Sequence, residues 1–306
     1  MLRIRSNFFR KFVGLTRNRL ISKIRNIYSK KFNDRLFFLA SNLDFWLNNN
    51  NTRITFINKN FDNYKEYKKE KKEKKEILKW FISSSLRSRA INSYAEKGLL
   101  FSGHRIAINY SIANIIFSDS DKVIDCGANF GSLWIYLNNL NIPITYIGIE
   151  PGKSEFQGLS KSIRSQKKTK MSSYLIKKAL ASKNGKANFF YSEEADSSII
   201  PYVGYSKKYL IETITLESLI NNLGFQNKKI KLLKLEAEGA EPEVIIGAIK
   251  ILKNIEYIAA DLGPERGFNK KCTIKEVTNI LLRNNFEIVD FKYPRICILF
   301  KNNLIS

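Results

Sequence analysis

The segment Val123-Ile124-Asp125-Cys126-Gly127-Ala128-Asn129-Phe130-Gly131 constrains the fold more than any other part of the chain. A short apolar run ends in a glycine turn, and Phe130, Leu133, Trp134 and Leu137 then recur at helical spacing. A strand that turns this tightly into a helix collects free backbone N–H groups beside a bare Cα, where polar ligand atoms can approach closely. A second apolar run, Ile144-Thr145-Tyr146-Ile147-Gly148-Ile149, ends at Glu150. That places a carboxylate about twenty residues beyond the turn, where dinucleotide folds hold a ribose hydroxyl.

The turn lacks the third glycine of the pyrophosphate fingerprint. Pyrophosphate is an anion that wants an open nest of donors. S-adenosyl-L-methionine offers instead a sulfonium, an amino-acid end and a ribose, which suit the acids Asp125 and Glu150. The expected cofactor is therefore S-adenosyl-L-methionine, contacted by Gly127, Ala128, Asn129 and Gly131 through the turn. Asp125 is expected to orient the methionine end or the turn itself, and Glu150 to accept bonds from the ribose hydroxyls. A turn that merely closes a βα unit, or one that serves another nucleotide, is the competing reading.

From Val123 onward strands and helices alternate, which predicts an α/β fold with a parallel sheet covered on both faces. The expected strands are 122–126, 144–149, 173–179, 230–236 and 255–261. Asn184-Gly185 offers a tight turn before residues 186–191. Pro242 suits the first turn of a helix after Gly239. Thr273 and Glu276 have capping-box spacing ahead of Val277, Ile280 and Leu281. Two apolar runs, 286–291 and 296–300, are joined by Lys292-Tyr293-Pro294-Arg295 and predict a closing hairpin.

These motifs together resemble the FkbM-like class I methyltransferases. Lys178-Ala179-Leu180-Ala181-Ser182-Lys183-Asn184-Gly185 is similar to that family's third-strand exit. Ala195-Asp196-Ser197-Ser198 is similar to its serine-containing loop, and Thr215-Leu216-Glu217-Ser218-Leu219 to its Thr-Leu-Asp segment. Lys234-Leu235-Glu236-Ala237-Glu238-Gly239-Ala240-Glu241 resembles its Lys-x-Asp-x-Glu-Gly-x-Glu motif, with Glu236 in place of the usual Asp. The resemblance covers the last two-thirds of the chain. It implies a Rossmann-like class I methyltransferase sheet with a terminal β-hairpin on one edge. It also implies methyl transfer from S-adenosyl-L-methionine, typically to a hydroxyl of a sugar or small metabolite. The chain then divides into a basic, mainly helical N-terminal extension, 1–116, and a methyltransferase domain, 117–306.

Ligands of open α/β sheets collect beyond the carboxyl ends of the strands. Asp125, Glu150, Glu236 and Asp261 all fall at expected strand ends, and ionised acids are seldom buried unpaired. The expected catalytic group is Lys234, Glu236, Glu238 and Asp261. Alternation puts Lys234 and Glu236 on one strand face, where they can pair. Glu236 or Glu238 is a candidate proton acceptor, with a structural role as the alternative for each. Arg266 is expected to bind an acidic group on the acceptor or to pair with Glu265. His104, the sole histidine, has a structural or exposed role as its leading reading and a catalytic base as the lesser one. No metal ligands are assigned. Cys126, Cys272 and Cys297 lack paired or metal-like spacing and suit a reducing compartment. Cys126 is expected to be a small buried filler.

Charge separates the two ends of the chain. The net charge is +24, and residues 1–80 carry 21 Lys/Arg against 7 Asp/Glu. The first 31 residues hold ten cations and no acid, with Phe9, Val13, Leu20, Ile24 and Ile27 able to share a helical face. Such a segment suits an anionic membrane surface; a solvated basic extension and a transit-peptide-like leader are the other readings. Glu70 and Lys74 within the Lys/Glu-rich run 65–76 support an exposed helix over 61–81. The chain is expected in the cytoplasm, with peripheral membrane association left open. A small-molecule or glycan acceptor is the expected partner. RNA methylation is the alternative, disfavoured because the charge lies outside the resembled region. A non-catalytic surface-binding module is a third reading, opposed by the intact turn and acids.

Overall fold

Five apolar runs rich in Val, Ile and Leu form the centre of the molecule, because a parallel strand covered on both faces needs apolar side chains on both. The computed structural model describes residues 52–56, 64–69, 78–83, 99–166, 168–192 and 197–305, the first three as backbone, all within a unit spanning residues 50–306. The basic segment 1–31 lies outside the described residues. Three strands come first: β1 (Thr52–Phe56), β2 (Tyr64–Lys69) and β3 (Leu78–Ser83), in an antiparallel sheet of their own.

The central parallel strands are β4 (Lys122–Cys126), β5 (Thr145–Ile149), β6 (Ser172–Ile176), β10 (Ile230–Leu235) and β11 (Ile255–Asp261). Between β6 and β10 lie β7 (Ala179–Leu180), β8 (Gly185–Tyr191) and β9 (Lys207–Ile214), which make a small separate sheet. After β11 come β12 (Pro264–Arg266) and β13 (Lys271–Cys272), then the hairpin β14 (Phe286–Lys292) and β15 (Cys297–Asn302). The main sheet has the order β14-β15-β11-β10-β4-β5-β6, with the hairpin antiparallel on one edge as expected. Helices α1 (Leu99–Asn109), α2 (Ser132–Leu140), α3 (Lys153–Arg164), α4 (Leu216–Asn222), α5 (Glu241–Ile246) and α6 (Ile274–Arg283) complete the described elements, with two short 3-10 segments. Among the described residues no helix is long and apolar enough to cross a membrane.

The predicted helical face after the glycine turn is the buried face of α2. Phe130, Leu133, Trp134 and Leu137 are all buried, and the Trp134 indole donates to Ser173 Oγ at 3.0 Å. On the opposite side of the sheet Ile124, Leu233, Leu235 and Ile258 pack with Leu219, Val244 and Leu281 from three helices.

Three expectations give way. Residues 64–69 and 78–83 are strands where a helix over 61–81 was predicted. One i,i+4 ion pair is worth only a few tenths of a kcal/mol, whereas Leu78, Trp80 and Ile82 alternate with a period of two and aromatic side chains favour a pleated surface. The register sets Tyr67 opposite Trp80. The expected strand 173–179 stops at Ile176, and the chain re-enters a different sheet at Ala179. Thr273 does occupy the position before α6, but its hydroxyl makes no capping bond; it donates to Glu241 Oε2 at 3.0 Å instead. Pro242 sits in the first turn of α5 as predicted.

Candidate functional site

The strand order reverses between β4 and β10, so the chain leaves the two strands in opposite directions and a cleft opens beyond their carboxyl ends. It encloses about 680 Å³ of space open to solvent. One rim is built from main chain. Gly127, Asn129 and Gly131 all have positive φ, at 72°, 50° and 85°, a conformation that glycine and asparagine tolerate best. The Gly127 and Ala128 N–H groups both donate to Ile149 O at 3.0 Å, and Gly131 N–H donates to Ala128 O at 2.8 Å. Glu150 accepts from Asn129 N–H at 2.8 Å and from Gly152 N–H at 2.7 Å. The turn is thus stapled to the end of β5 before any ligand arrives.

Gly127 is required by a second backbone. A Cβ there would lie 2.1 Å from Glu236 O, so the β4 turn and the β10 exit touch main chain to main chain. Asn129 Oδ1 is buried and no described group donates to it.

Asp125 lies deeper. It is buried, accepts from the Tyr146 hydroxyl at 2.7 Å and meets Lys234 Nζ at 3.2 Å. The parallel register, which pairs Asp125 with Lys234, produces this contact. Burial raises the Asp125 carboxyl, with Lys234 and Tyr146 pulling the other way. Asp125 is not among the residues that line the cleft. Cys126 does line it, but burial pushes its thiol far above the usual range, so it is no nucleophile.

The other rim is an ionic lattice. Lys234 Nζ lies 2.8 Å from Glu236 Oε2 and donates to Gly127 O at 2.9 Å, which confirms the expected same-face pair. Arg295, from the hairpin turn, donates through Nε to Asp261 Oδ2 at 2.6 Å and through a second nitrogen to Glu236 Oε1 and to Tyr110 Oη. The Tyr110 ring stands 5.6 Å from Lys234 Nζ and 5.4 Å from the Arg295 guanidinium carbon. Charges therefore alternate along Asp125, Lys234, Glu236, Arg295 and Asp261. Burial pushes the Glu236 carboxyl up, but Lys234 and Arg295 outweigh it and hold it at about 2. Burial raises Asp261 against the pull of Arg295.

The Gly239 turn fixes the next layer. A Cβ at Gly239, whose φ is 90°, would lie 2.6 Å from Arg266 Cα. Arg266 donates to Glu243 at 2.8 and 2.6 Å and to Gly239 O. It does not pair with Glu265 or stand open for an acceptor, since Glu243 lies one helical turn into α5. Glu241 accepts from the Ala237 and Gly239 N–H groups at 2.9 and 3.1 Å.

Of the residues expected at the site, Gly127, Asn129, Glu150, Glu236 and Glu238 line the cleft. Ala128, Gly131, Lys234 and Asp261 support it from behind through the bonds above. His104 is exposed on α1 with its ring edge-on to Tyr136 at 5.6 Å. The sequence reading missed Arg295, Tyr110, Glu155 and the apolar wall of Leu180, Phe189 and Ile199. Arg295 meets its acids across 34 and 59 residues of sequence, so no local spacing could announce it. Glu155, at the start of α3, is buried. A Cβ at Gly152 would lie 2.4 Å from Glu155 Oε2 and 2.8 Å from Glu150 Oε1, which places both carboxylates at one point. Burial, with Glu155 and Glu150 nearby, pushes the Tyr209 hydroxyl up to about 12. Four carboxylates, Glu150, Glu155, Glu236 and Glu238, thus line the cleft, and no lysine or arginine does among the described residues. The described residues hold no group of three or more His, Cys, Asp and Glu placed to bind a metal.

Residues 125–288 match the Methyltransferase FkbM domain family. No curated protein matches the chain. Among solved structures, the methyltransferase FkbM from Methylobacillus flagellatus KT is 17% identical, with 69% of this chain and 52% of that one covered and a TM-score of 0.46. The chain therefore spans about half the length of that protein. Magnesium protoporphyrin IX methyltransferase from Synechocystis PCC 6803, solved with bound SAM, is 10% identical over 71% of this chain and 85% of that one, TM-score 0.40. A putative rRNA-methylase from Clostridium thermocellum is 14% identical over 64% and 94%, TM-score 0.39.

Proposed function

The chain belongs to the Methyltransferase FkbM domain family, and from that premise we propose that it moves the methyl group of S-adenosyl-L-methionine to a hydroxyl of a sugar, glycan or sugar-containing metabolite. The observation that carries the reading is the sign of the cleft. A chain of net charge +24 lines it with four carboxylates and with no basic side chain among the described residues. Such a site repels a pyrophosphate and attracts a sulfonium and an ammonium group.

The residues present fit that cofactor. Asn129 Oδ1, buried and without a donor, suits a hydroxyl or amine of the ligand. Glu150 lines the cleft with a carboxylate, an acceptor suited to ribose hydroxyls, and Leu180, Phe189 and Ile199 offer an apolar wall for a base. Bound there, the cofactor supplies a methyl group on a positively charged sulfur. Glu236 and Glu238 face the same space from the opposite rim. Lys234, Glu236, Arg295 and Asp261 tie that rim together, and with the cofactor bound a rim so held would orient an acceptor hydroxyl. Orientation of this kind contributes on the order of 7 kcal/mol to such reactions.

The same acids support a neutral hydroxylated acceptor over RNA, because a phosphate backbone is bound through cations. The test is incubation of the full chain with methyl-tritiated S-adenosylmethionine and, in parallel, a neutral oligosaccharide mixture and ribosomal RNA. Base-stable label in carbohydrate is expected. Label in RNA with none in carbohydrate would overturn the acceptor class.

A further inference from the structure

We propose that the chain forms a two-fold dimer by pairing β14, the edge strand of the main sheet, with β14 of a second copy. Among the described residues β14 ends the sheet order, so no strand lies along its outer side. Ile288, Val289 and Phe291 on it are 47%, 43% and 49% exposed. An edge strand displays unpaired N–H and C=O groups, and one that also displays large apolar side chains is a template for another strand.

The register shows which side chains share a face. Phe286, Ile298 and Phe300 belong to the core that Val277 and Leu281 of α6 pack into. Ile288 lies opposite Phe300 and Phe291 opposite Ile298, so both face that side. Glu287 lies opposite Lys301, Asp290 opposite Leu299 and Lys292 opposite Cys297. These three are on the other face, where Asn114 donates to Asp290 Oδ2 at 3.3 Å. Three residues apart, Ile288 and Phe291 would point to opposite faces in a regular strand. The bulge between Ile288 and Asp290 turns them to the same one.

That parity is what a two-fold contact needs. With Ile288 opposite the second copy's Phe291, each face meets its like, and the pair occurs twice about an axis between Val289 and Asp290. The same register sets Glu287 opposite the second copy's Lys292, again twice. Lys292 Nζ lies 2.9 Å from Asp290 Oδ2 in its own chain, and an ammonium has three donors to share. Glu287 then stands between Lys301 of its own chain and that second lysine, in one row across the sheet. Sliding the contact by two residues sets Glu287 against Asp290 instead, so charge selects the register. Bulges and charges often blunt an edge; here the charges are self-complementary and the bulge aligns the apolar pair. Phe291 N–H donates to Asp290 Oδ1 at 2.8 Å, and pairing exchanges that bond for a strand carbonyl. β14 runs on to the turn that carries Arg295 to Asp261 and Glu236, so the contact braces that rim of the cleft.

One strand pair is a small interface, so a dissociation constant of about 10 μM is expected. Sedimentation velocity of the full chain from about 1 to about 300 μM should show monomer passing to dimer. Glu287→Lys should weaken the dimer about tenfold or more by setting like charges opposite each other twice, and Lys292→Glu should do the same. The two substitutions together should restore the native affinity, because the pair is exchanged rather than lost. Monomer at every concentration would overturn the proposal. So would a dimer that neither single reversal weakens, or a double variant as weak as the singles. Hydrogen exchange of the native chain gives a readout independent of the variants. Amides of residues 286–293 should exchange more slowly as concentration rises through the dimer midpoint. Protection already complete in the monomer would mean that another segment of this chain covers the edge, and would overturn the proposal too.

Discussion

The two rims of the cleft are made by different means. On the β4–β5 side the N–H groups of the turn 127–131 are tied to the Ile149 carbonyl and the Glu150 carboxylate, partners about twenty residues away. On the β10–β11 side the ties are ionic side chains, and Arg295 reaches Glu236 across 59 residues and Tyr110 across 185. A rim of main chain is preorganised by backbone conformation, with the Glu150 carboxylate its single charged tie. A rim of charges depends on every member, since each buried ion is costly once its partner goes. The first suits a cofactor bound the same way in every cycle, and the second suits the side where protons move.

The contrast is sharpest for Lys234, the ion shared by Asp125 and Glu236 and itself buried. Lys234→Met should cost about 3–5 kcal/mol in urea unfolding, because it strands buried Asp125 and leaves Glu236 with Arg295 alone. Next is Gly127→Ala, which asks the main-chain rim to accept both a positive φ and a Cβ 2.1 Å from Glu236 O. It should cost about 2–3 kcal/mol and pull the rims apart; thermal unfolding reads it, and a cost near zero would mean that the two turns are not in contact.

Arg295→Lys tests whether the ionic rim needs geometry or merely charge. An ammonium cannot reproduce the fork that serves Asp261, Glu236 and Tyr110 together, so the loss should be about 1–2 kcal/mol by the same unfolding measurement. The smallest effect is acid sensitivity. Glu236 is held at about 2, below its ordinary 4.5. Its stabilisation is therefore fully present above pH 4.5 and disappears as pH falls through 2. Between pH 4 and pH 3 the native chain should lose about 1 kcal/mol more than Glu236→Gln.

The sequence reveals the main-chain rim for the same reason that it is rigid. Local conformation selects Gly127, Asn129 and Gly131, and strand length places Glu150, so the spacing itself carries the information. The five core strands are legible through their continuous apolar runs, and the closing hairpin through its paired runs. The ionic rim is half legible. Alternation along β10 gives Lys234 and Glu236 as a pair, but Arg295 reads as an ordinary turn residue until the hairpin folds back over β11. Glu155 is hidden differently: an acid in the first turn of a helix suits the helix dipole and needs no other reason to be there. Over residues 61–81 the Lys/Glu pattern argued for a helix while the aromatic alternation argued for strands, and the alternation prevailed.

Calorimetry of the full chain with S-adenosylmethionine and with NAD tests the central claim, that an acid-lined cleft in a basic protein takes a cationic methyl donor. Binding is expected for S-adenosylmethionine and not for NAD, and Glu150→Ala should weaken it by about tenfold or more, or 1.4 kcal/mol. NAD binding in place of S-adenosylmethionine, or an affinity unchanged in a folded Glu150→Ala variant, would contradict the account.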